Sequence, residues 1–498
     1  MEPENGSRSR VYAFAVASVA IAVVAALLTP GGPDGALASR MTAVAALMAL
    51  WWVFEIVPIP VTALLPLVLL PLLGIAELKA VSANYGKPII FLFLGGFLLA
   101  LGLQRSGLHR RIALSIVSLI GSQPRRLVLG FMLACYVLSM WISNTASVMV
   151  MLPIALSVLS DIRERGEEHA ALLGPPLMLG IAYAADIGGM ATPVGTPPNL
   201  VFMEVLGDLF PNVPTPTFAQ WMIMGVPLSV VFLAIGWYLL AFRLFRLPTG
   251  SVIAGGDAVR DALRALGPVS RDEVVSGAVF AITALLWMTG SDLSLGSSLR
   301  IAGWRSMLGI PGVGDASVAV AAGVSLFLIP SRTRPGQALM DWKATRDLPW
   351  GMLLLFGGGF ALAGGFQSSG LSAIIGASLA GLSGLPVVAL VAIVCLVLTF
   401  LTELTSNTAM TTLMMPILAQ AAVQLSLDPR LLMIPATLSA SCAFMMPVAS
   451  PTQAIVFGSG YVTIRQMARA GIWFNLLGIV VVTAAFFLFG VPALGIRL

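Results

Sequence analysis

The tripeptide Ser143-Asn144-Thr145 recurs as Ser406-Asn407-Thr408, each copy inside a long apolar stretch and each followed at matching distance by a proline, Pro153 or Pro416. Three adjacent hydrogen-bonding side chains are costly in hydrocarbon unless protein, water or a ligand satisfies them. Ser and Thr hydroxyls can bond back to the preceding helical turn, a structural use common in membrane helices. An Asn amide differs, because its donors and acceptor cannot all be satisfied by its own helix. Two such triplets in register read as two halves of one binding site. In it, Asn144 and Asn407 offer an amide oxygen to a cation and an amide nitrogen to a carboxylate.

Beside each triplet comes a stretch that cannot stay helical, A-T-P-V-G-T-P-P-N (191–199) and M-P-V-A-S-P-T-Q (446–453). Proline removes backbone donors and restricts the residue before it. Unwinding frees carbonyl oxygens for a small cation and starts a new half-helix whose N-terminal amides favour an anion. Ser and Thr hydroxyls suit a hard cation such as Na⁺. Neither tip and neither broken stretch holds a Lys or Arg. An anionic ligand is then neutralised by dipoles, amides and co-bound cations, which couples anion binding to cation binding.

The elements that position these residues lie in a membrane. The chain has 498 residues, is 58% hydrophobic and 10% charged, and has a mean hydropathy of +0.97, more apolar surface than a soluble fold can hide. The net charge of +5 implies no nucleic-acid partner. Cys135, Cys395 and Cys442 lie singly in apolar segments and read as small buried hydrophobes rather than as a disulfide framework or metal site. His109 and His169 flank charged loops and there is no H-E-x-x-H, so the chain lacks the usual metal-site residues of a membrane-embedded enzyme, that reading is disfavoured, and no catalytic residue is assigned. The run Val11 to Leu28 reads as an uncleaved first helix in preference to a signal peptide, although Ala36-Leu37-Ala38 is a passable cleavage match.

Segments of spanning length fall near 11–29, 41–57, 60–75, 88–104, 219–242, 273–290, 315–330, 350–368 and 470–491. Leu127 to Ser160, uncharged throughout, is too long for one helix of about 20 residues and short for two spans plus a loop. Splitting it at the triplet gives a re-entrant hairpin with a polar tip buried in protein.

The halves align. F-L-G-G-F-L-L-A-L-G-L-Q-R-S-G-L (93–108) matches F-G-G-G-F-A-L-A-G-G-F-Q-S-S-G-L (356–371), and the same spacing carries Ser143 to Ser406. Downstream, 192–202 matches 446–456 after a deletion that removes the polar loop 161–169. Arg105, Arg110, Arg111, Arg125 and Arg126 populate the first copy where 367–389 of the second has no basic residue, so the copies face opposite ways by the positive-inside rule. Eleven spans with a cytoplasmic N-terminus and an outside C-terminus place every Lys and Arg inside except Arg40, Lys79, Lys87, Arg300, Arg305, Arg430 and Arg497. An inverted repeat with helices broken at mid-membrane belongs to secondary transporters rather than channels.

The expected fold is an all-α polytopic membrane protein in which N-terminal scaffold helices (1–87) precede a first repeat core (88–218; hairpin 127–160, broken helix 175–205). Connecting helices with a cytoplasmic linker follow (219–349; linker 247–273, with a short amphipathic helix in A-V-R-D-A-L-R-A-L). A second core (350–461; hairpin 386–425, broken helix 431–460) and a C-terminal helix (462–498) complete it.

With the paired Ser-Asn-Thr motifs, G-T-P-P-N at 195–199 and W-W-V-F-E-I-V-P-I-P-V-T-A-L-L-P at 51–66, nearly the whole chain resembles the divalent anion/sodium symporter family (the SLC13 or INDY type). The resemblance implies a homodimer of eleven-helix protomers in the plasma (inner) membrane, importing di- or tricarboxylates of the succinate, malate or citrate class with Na⁺ by an elevator motion. It implies a first sodium site at Ser139, Ser143, Asn144 and Gly195, and a second at Thr402, Thr405, Asn407 and Ala449. It places substrate carboxylates against Ser143, Asn144, Thr145, Ser406, Asn407 and Thr408, with Thr196, Pro197, Ser450 and Pro451.

The chain departs from that family at Ser450-Pro451-Thr452-Gln453, where T-P-P-N is frequent; Gln453 keeps the amide but is longer by a methylene. Asp186 is a carboxylate in an otherwise apolar segment, read either as a hydrogen-bonded structural residue or as a protonatable or cation-sensing coupling group, and Glu403 divides the same way. Glu55 and Trp51-Trp52 read as scaffold and interface anchors, and the G-G-F blocks at 95–97 and 358–360 as sites of close helix packing. A sodium-independent carboxylate exchanger and a sulfate transporter remain alternatives at this level.

Overall fold

The computed structural model describes residues 4–29, 35–121, 123–164, 169–248, 255–295, 299–378 and 384–497. Parts of the 161–169 loop, of the linker 247–273 and of the 367–389 stretch lie outside them. The regular structure of the described residues is helical apart from an antiparallel hairpin of β1 (Leu293–Leu295) and β2 (Leu299–Ile301) and an isolated bridge between Pro330 and Ala338.

The N-terminal group comprises α1 (Glu4–Leu27), α2 (Gly35–Phe54), α3 (Ile59–Thr62), α4 (Leu65–Leu72) and α5 (Leu78–Ala83). The segment expected as one span at 60–75 is split into α3 and α4 at Ala63-Leu64, just ahead of Pro66 near the start of α4. The first repeat follows as α6 (Pro88–Ser106), α7 (Leu108–Ile120), α8 (Pro124–Ser139), α9 (Asn144–Glu164), α10 (His169–Gly189), α11 (Pro197–Leu209) and α12 (Phe218–Tyr238). The middle of the chain holds α13 (Gly255–Ala265), α14 (Arg271–Met288), α15 (Trp304–Met307) and α16 (Asp315–Leu328). The second repeat is α17 (Trp350–Ser368), α18 (Leu371–Ser378), α19 (Val387–Thr402), α20 (Asn407–Gln424), α21 (Arg430–Ala440), α22 (Pro451–Gly458) and α23 (Ile464–Ala485), and the short α24 (Val491–Leu494) closes the chain.

Each hairpin is a helix pair broken at its triplet: α8 and α19 end at Ser139 and Thr402, and α9 and α20 begin on Asn144 and Asn407. The broken helices are interrupted at 190–196 and 441–450. The first break is narrower than the 175–205 region suggests, because α10 runs through Pro175 and Pro176.

The correspondence between halves extends to α12 and α23. Both open with a capping box, Thr217 with Gln220 and Thr463 with Gln466, and both end in a π-helical turn, 239–244 and 486–490. They pack antiparallel: Gly236 lies against Phe474, Gly478 against Phe232 and Gly490 against Met224. That is the relation an inverted repeat imposes on matched helices.

The halves also exchange partners. The half-helix α11 packs on α20 of the other half, and α22 on α9. Glycine permits the tightest approaches, as the G-G-F blocks suggest: a Cβ on Gly95 would fall 2.5 Å from that of Ala319, and one on Gly358 2.2 Å from the Ala63 carbonyl oxygen. Large apolar side chains face outward along the spans, among them Leu72, Leu119, Leu328, Val480 and Leu488, a surface that suits lipid and not water. Cys135, Cys395 and Cys442 are buried free thiols.

Candidate functional site

The two tips repeat one geometry. Ser139 Oγ lies 2.6 Å from Asn144 Oδ1 and 2.7 Å from the Ala185 carbonyl. Thr402 Oγ1 lies 2.6 Å from Asn407 Oδ1 and 3.1 Å from the Ala440 carbonyl. In each half one hydroxyl proton is shared among three oxygens, which leaves lone pairs converging inside protein. A small hard cation satisfies such a cluster where a further hydrogen-bond donor is missing.

Close packing brings the first unwound stretch to the first tip. A Cβ on Gly189 would meet Asn144 Oδ1 at 2.7 Å and the Thr196 Cβ at 3.1 Å, and one on Gly195 would fall 2.6 Å from the Gly189 carbonyl oxygen. The structure therefore gathers Ser139, Asn144, Gly195 and Thr196, with Ser143 Oγ accepting from the Ala146 amide at 3.3 Å. In the second half, Thr405 bonds back to the Leu401 carbonyl, and no hydrogen bond among the described residues joins Ala449 to Asn407. Thr145 and Thr408 make no side-chain hydrogen bond among the described residues. Pro197 and Pro451 stand at the first helical position of α11 and α22, where proline costs no helical bond, and Thr196 and Ser450 are the capping residues. Four helix N-termini, those of α9, α11, α20 and α22, thus begin at the triplets and the unwound stretches, and this is favourable for an anion.

The unwound stretches are fastened differently. Thr192 Oγ1 donates to the Met140 carbonyl at 2.5 Å, tying the first stretch to the first tip. In the second half the residue matching Met140 is Glu403, whose carboxylate accepts from the amides of Phe444 (2.8 Å), Met445 (2.9 Å) and Met446 (3.1 Å) and from Asn475 Nδ2 (2.7 Å). Helix α21 stops earlier than α10, so these amides have lost their helical acceptors and Glu403 supplies them. Asn199 spans its own loop, donating to the carbonyls of Gly189 and Thr192.

Asp186 breaks the symmetry. Its carboxylate is 1% exposed and accepts from Asn144 Nδ2 (3.0 Å), Thr452 Oγ1 (3.0 Å) and Gln453 Nε2 (3.3 Å), joining the first tip to the second unwound segment. In the second half Ala440 and Ser441 stand at the matching place, without a carboxylate. The sequence singles out Asp186 and Gln453 separately. It gives no sign that they meet, nor of the parts of Thr192, Thr452 and Asn475. The tandem departures Thr452 and Gln453, opposite Pro198 and Asn199 of the first half, were the available signal for the former.

A buried inverted repeat with a polar, base-free centre and a lipid-facing apolar surface defines an integral membrane transporter rather than an enzyme. The chain belongs to the sodium:sulfate symporter family, which the sequence resemblance names as the divalent anion/sodium symporters: the family model described as "Sodium:sulfate symporter transmembrane region" matches residues 9–495. It is similar to the sodium-dependent dicarboxylate transporter SdcS of Staphylococcus saprophyticus, 40% identical over 455 residues, covering 90% of this chain and 85% of the relative. SdcS of Staphylococcus aureus is 39% identical over 445 residues, covering 87% and 82%. Among solved structures, the YdaH transporter of Alcanivorax borkumensis superposes with a TM-score of 0.56 at 17% identity, over 83% of this chain and 88% of that one, a likeness of fold.

Proposed function

We propose that the chain imports dicarboxylates coupled to Na⁺, with the tips and unwound stretches as the shared site. The observation that carries this reading is the pair of oxygen clusters, Ser139/Asn144/Ala185 and Thr402/Asn407/Ala440, each holding three oxygens on one proton. The sodium-dependent dicarboxylate transporters to which the chain is similar support it.

In this reading one Na⁺ is held by Ser139, Ser143, Asn144 and Gly195, and a second by Thr402, Thr405, Asn407 and Ala449. The anion is bound between Ser143, Asn144, Thr145, Thr196 and Pro197 on one side and Ser406, Asn407, Thr408, Ser450 and Pro451 on the other. With no Lys or Arg in this set, the cations supply the charge that a dianion needs in a low-dielectric site. Tricarboxylates such as citrate extend the substrate class, and a homodimer in the inner membrane, N-terminus cytoplasmic, working by an elevator motion completes the reading. In this reading the cores are residues 88–218 and 350–461, the N-terminal helices are 1–87, and the flanking stretches 219–349 and 462–498 hold the matched helices α12 and α23.

Counterflow in proteoliposomes with succinate, malate, citrate and sulfate, each with Na⁺ or with choline, tests it. Exchange of succinate and malate that needs Na⁺ on both faces supports the proposal; exchange of sulfate in preference to dicarboxylates overturns the substrate class.

A further inference from the structure

We propose that Asp186, Ser450, Thr452 and Gln453 form a seat for a further monovalent cation, beside the first tip and shared between the two halves; this rests on the sodium-coupled reading above. Asp186 is buried, and the groups bonded to it are neutral: Asn144, Thr452 and Gln453. No Lys, Arg or His contacts it among the described residues. A buried carboxylate held only by neutral donors favours a positive charge beside it.

The surroundings supply ligands of the right kind. Ser450 Oγ lies 2.5 Å from Thr452 Oγ1, so two hydroxyl oxygens adjoin the carboxylate. Gln453 is fully buried, and its Oε1 has no hydrogen-bond partner, although its Nε2 reaches Asp186. A half-turn of that amide about its terminal bond replaces Nε2 by Oε1 at the carboxylate, an exchange that two acceptors tolerate when a cation or a proton sits between them, and the hydroxyls beside them favour the cation. The set is then two carboxylate oxygens, two hydroxyls and an amide oxygen, all hard ligands suited to Na⁺.

The same residues break the repeat. Thr452 and Gln453 stand where the first half has Pro198 and Asn199, and Asn199 spends its amide on two carbonyls of its own loop. Asp186 has no acidic counterpart in the second half. A carboxylate and the two side chains that meet it are thus all particular to one side of a duplicated site, which the duplication alone does not explain.

The test is the reversal potential of Na⁺-driven succinate flux in proteoliposomes, for wild type, Asp186→Asn and Gln453→Leu. The expected result is one cation fewer per succinate in Asp186→Asn, and Na⁺ half-activation raised on the order of tenfold in Gln453→Leu, which keeps the carboxylate. Should Asp186→Asn fold poorly, the thermal stabilisation of detergent-purified protein by Na⁺ over K⁺, without anion, gives the second readout, and it should shrink in Gln453→Leu. Wild-type stoichiometry in Asp186→Asn, or wild-type Na⁺ dependence in Gln453→Leu, overturns the seat and leaves the sodium-coupled reading standing. Absence of any Na⁺-driven flux in the wild type overturns that reading itself.

Discussion

Asp186 accepts a hydrogen bond from Asn144 Nδ2 at 3.0 Å, whereas Asn407, the residue matching Asn144, has no carboxylate partner among the described residues. The two asparagines share their oxygen geometry and differ in what their NH₂ groups do. Asn144 spends one N–H of its amide on Asp186, and neither amide N–H of Asn407 has a partner among the described residues.

Both Asn144→Ala and Asn407→Ala remove an amide oxygen from a cluster proposed to hold Na⁺ and should abolish or severely reduce transport. Their effects on the anion should differ. At saturating Na⁺, Asn407→Ala should weaken succinate binding by roughly tenfold or more, the worth of about one hydrogen bond to a charged group. Asn144→Ala should change it less. Direct binding measured by calorimetry checks the order.

Glu403 replaces helical acceptors for the amides of Phe444, Met445 and Met446. Gln at this position has one acceptor oxygen and turns an NH₂ toward backbone donors. Glu403→Gln should therefore cost about 3 kcal/mol or more, since bonds to charged groups contribute roughly 1.5–3 kcal/mol each. The apparent melting temperature in detergent should fall by several degrees, while the Na⁺ dependence of the surviving protein stays as in the wild type. A variant with unchanged stability and altered Na⁺ activation would place Glu403 in the ion pathway.

Asp272, at the start of α14 where the linker ends, accepts from Ser331 Oγ, from the Arg332 amide at 2.8 Å and from Thr333 Oγ1 at 2.5 Å. Burial acts upward on its carboxyl, but these donors outweigh it and bring its pKa to about 2. The folded value lies below the unfolded one of about 3.9, so the stabilisation is complete above about pH 4 and is lost as pH falls through about 2. Asp272→Asn should lower the melting temperature at pH 7, and its deficit against wild type should narrow below pH 4. A deficit that is constant from pH 7 to pH 3 would contradict this.

The antiparallel packing of α12 on α23 requires matched stretches of the two halves to open on opposite faces. In a background lacking Cys135, Cys395 and Cys442, single cysteines within 105–121 should resist an impermeant thiol reagent added outside, and those within 384–389 should react. Labelling of both from one side would contradict the inversion.

Much of this was legible because the decisive signals are local. The triplets fix where α9 and α20 begin, Pro197 and Pro451 fix the half-helix starts, and the repeat shows in the G-G-F blocks. The capping boxes Thr217/Gln220 and Thr463/Gln466 were equally local and extend the correspondence to α12 and α23. What stayed hidden depends on chain segments that meet only in the fold. Asp186 reads as an isolated acid because Thr452 and Gln453 reach it from the other half, and Glu403 acquires its purpose only once α21 is seen to stop short.

In the proposed mechanism the oxygen clusters at the two tips take Na⁺ to hold the anion. This role is tested most directly by succinate uptake into proteoliposomes that contain no anion, driven by an inward Na⁺ gradient. The account predicts accumulation above the external concentration, abolished when choline replaces Na⁺ and absent in Asn144→Ala and Asn407→Ala. Uptake that proceeds equally in choline, and only when carboxylate is preloaded inside, would contradict it and make the protein an exchanger.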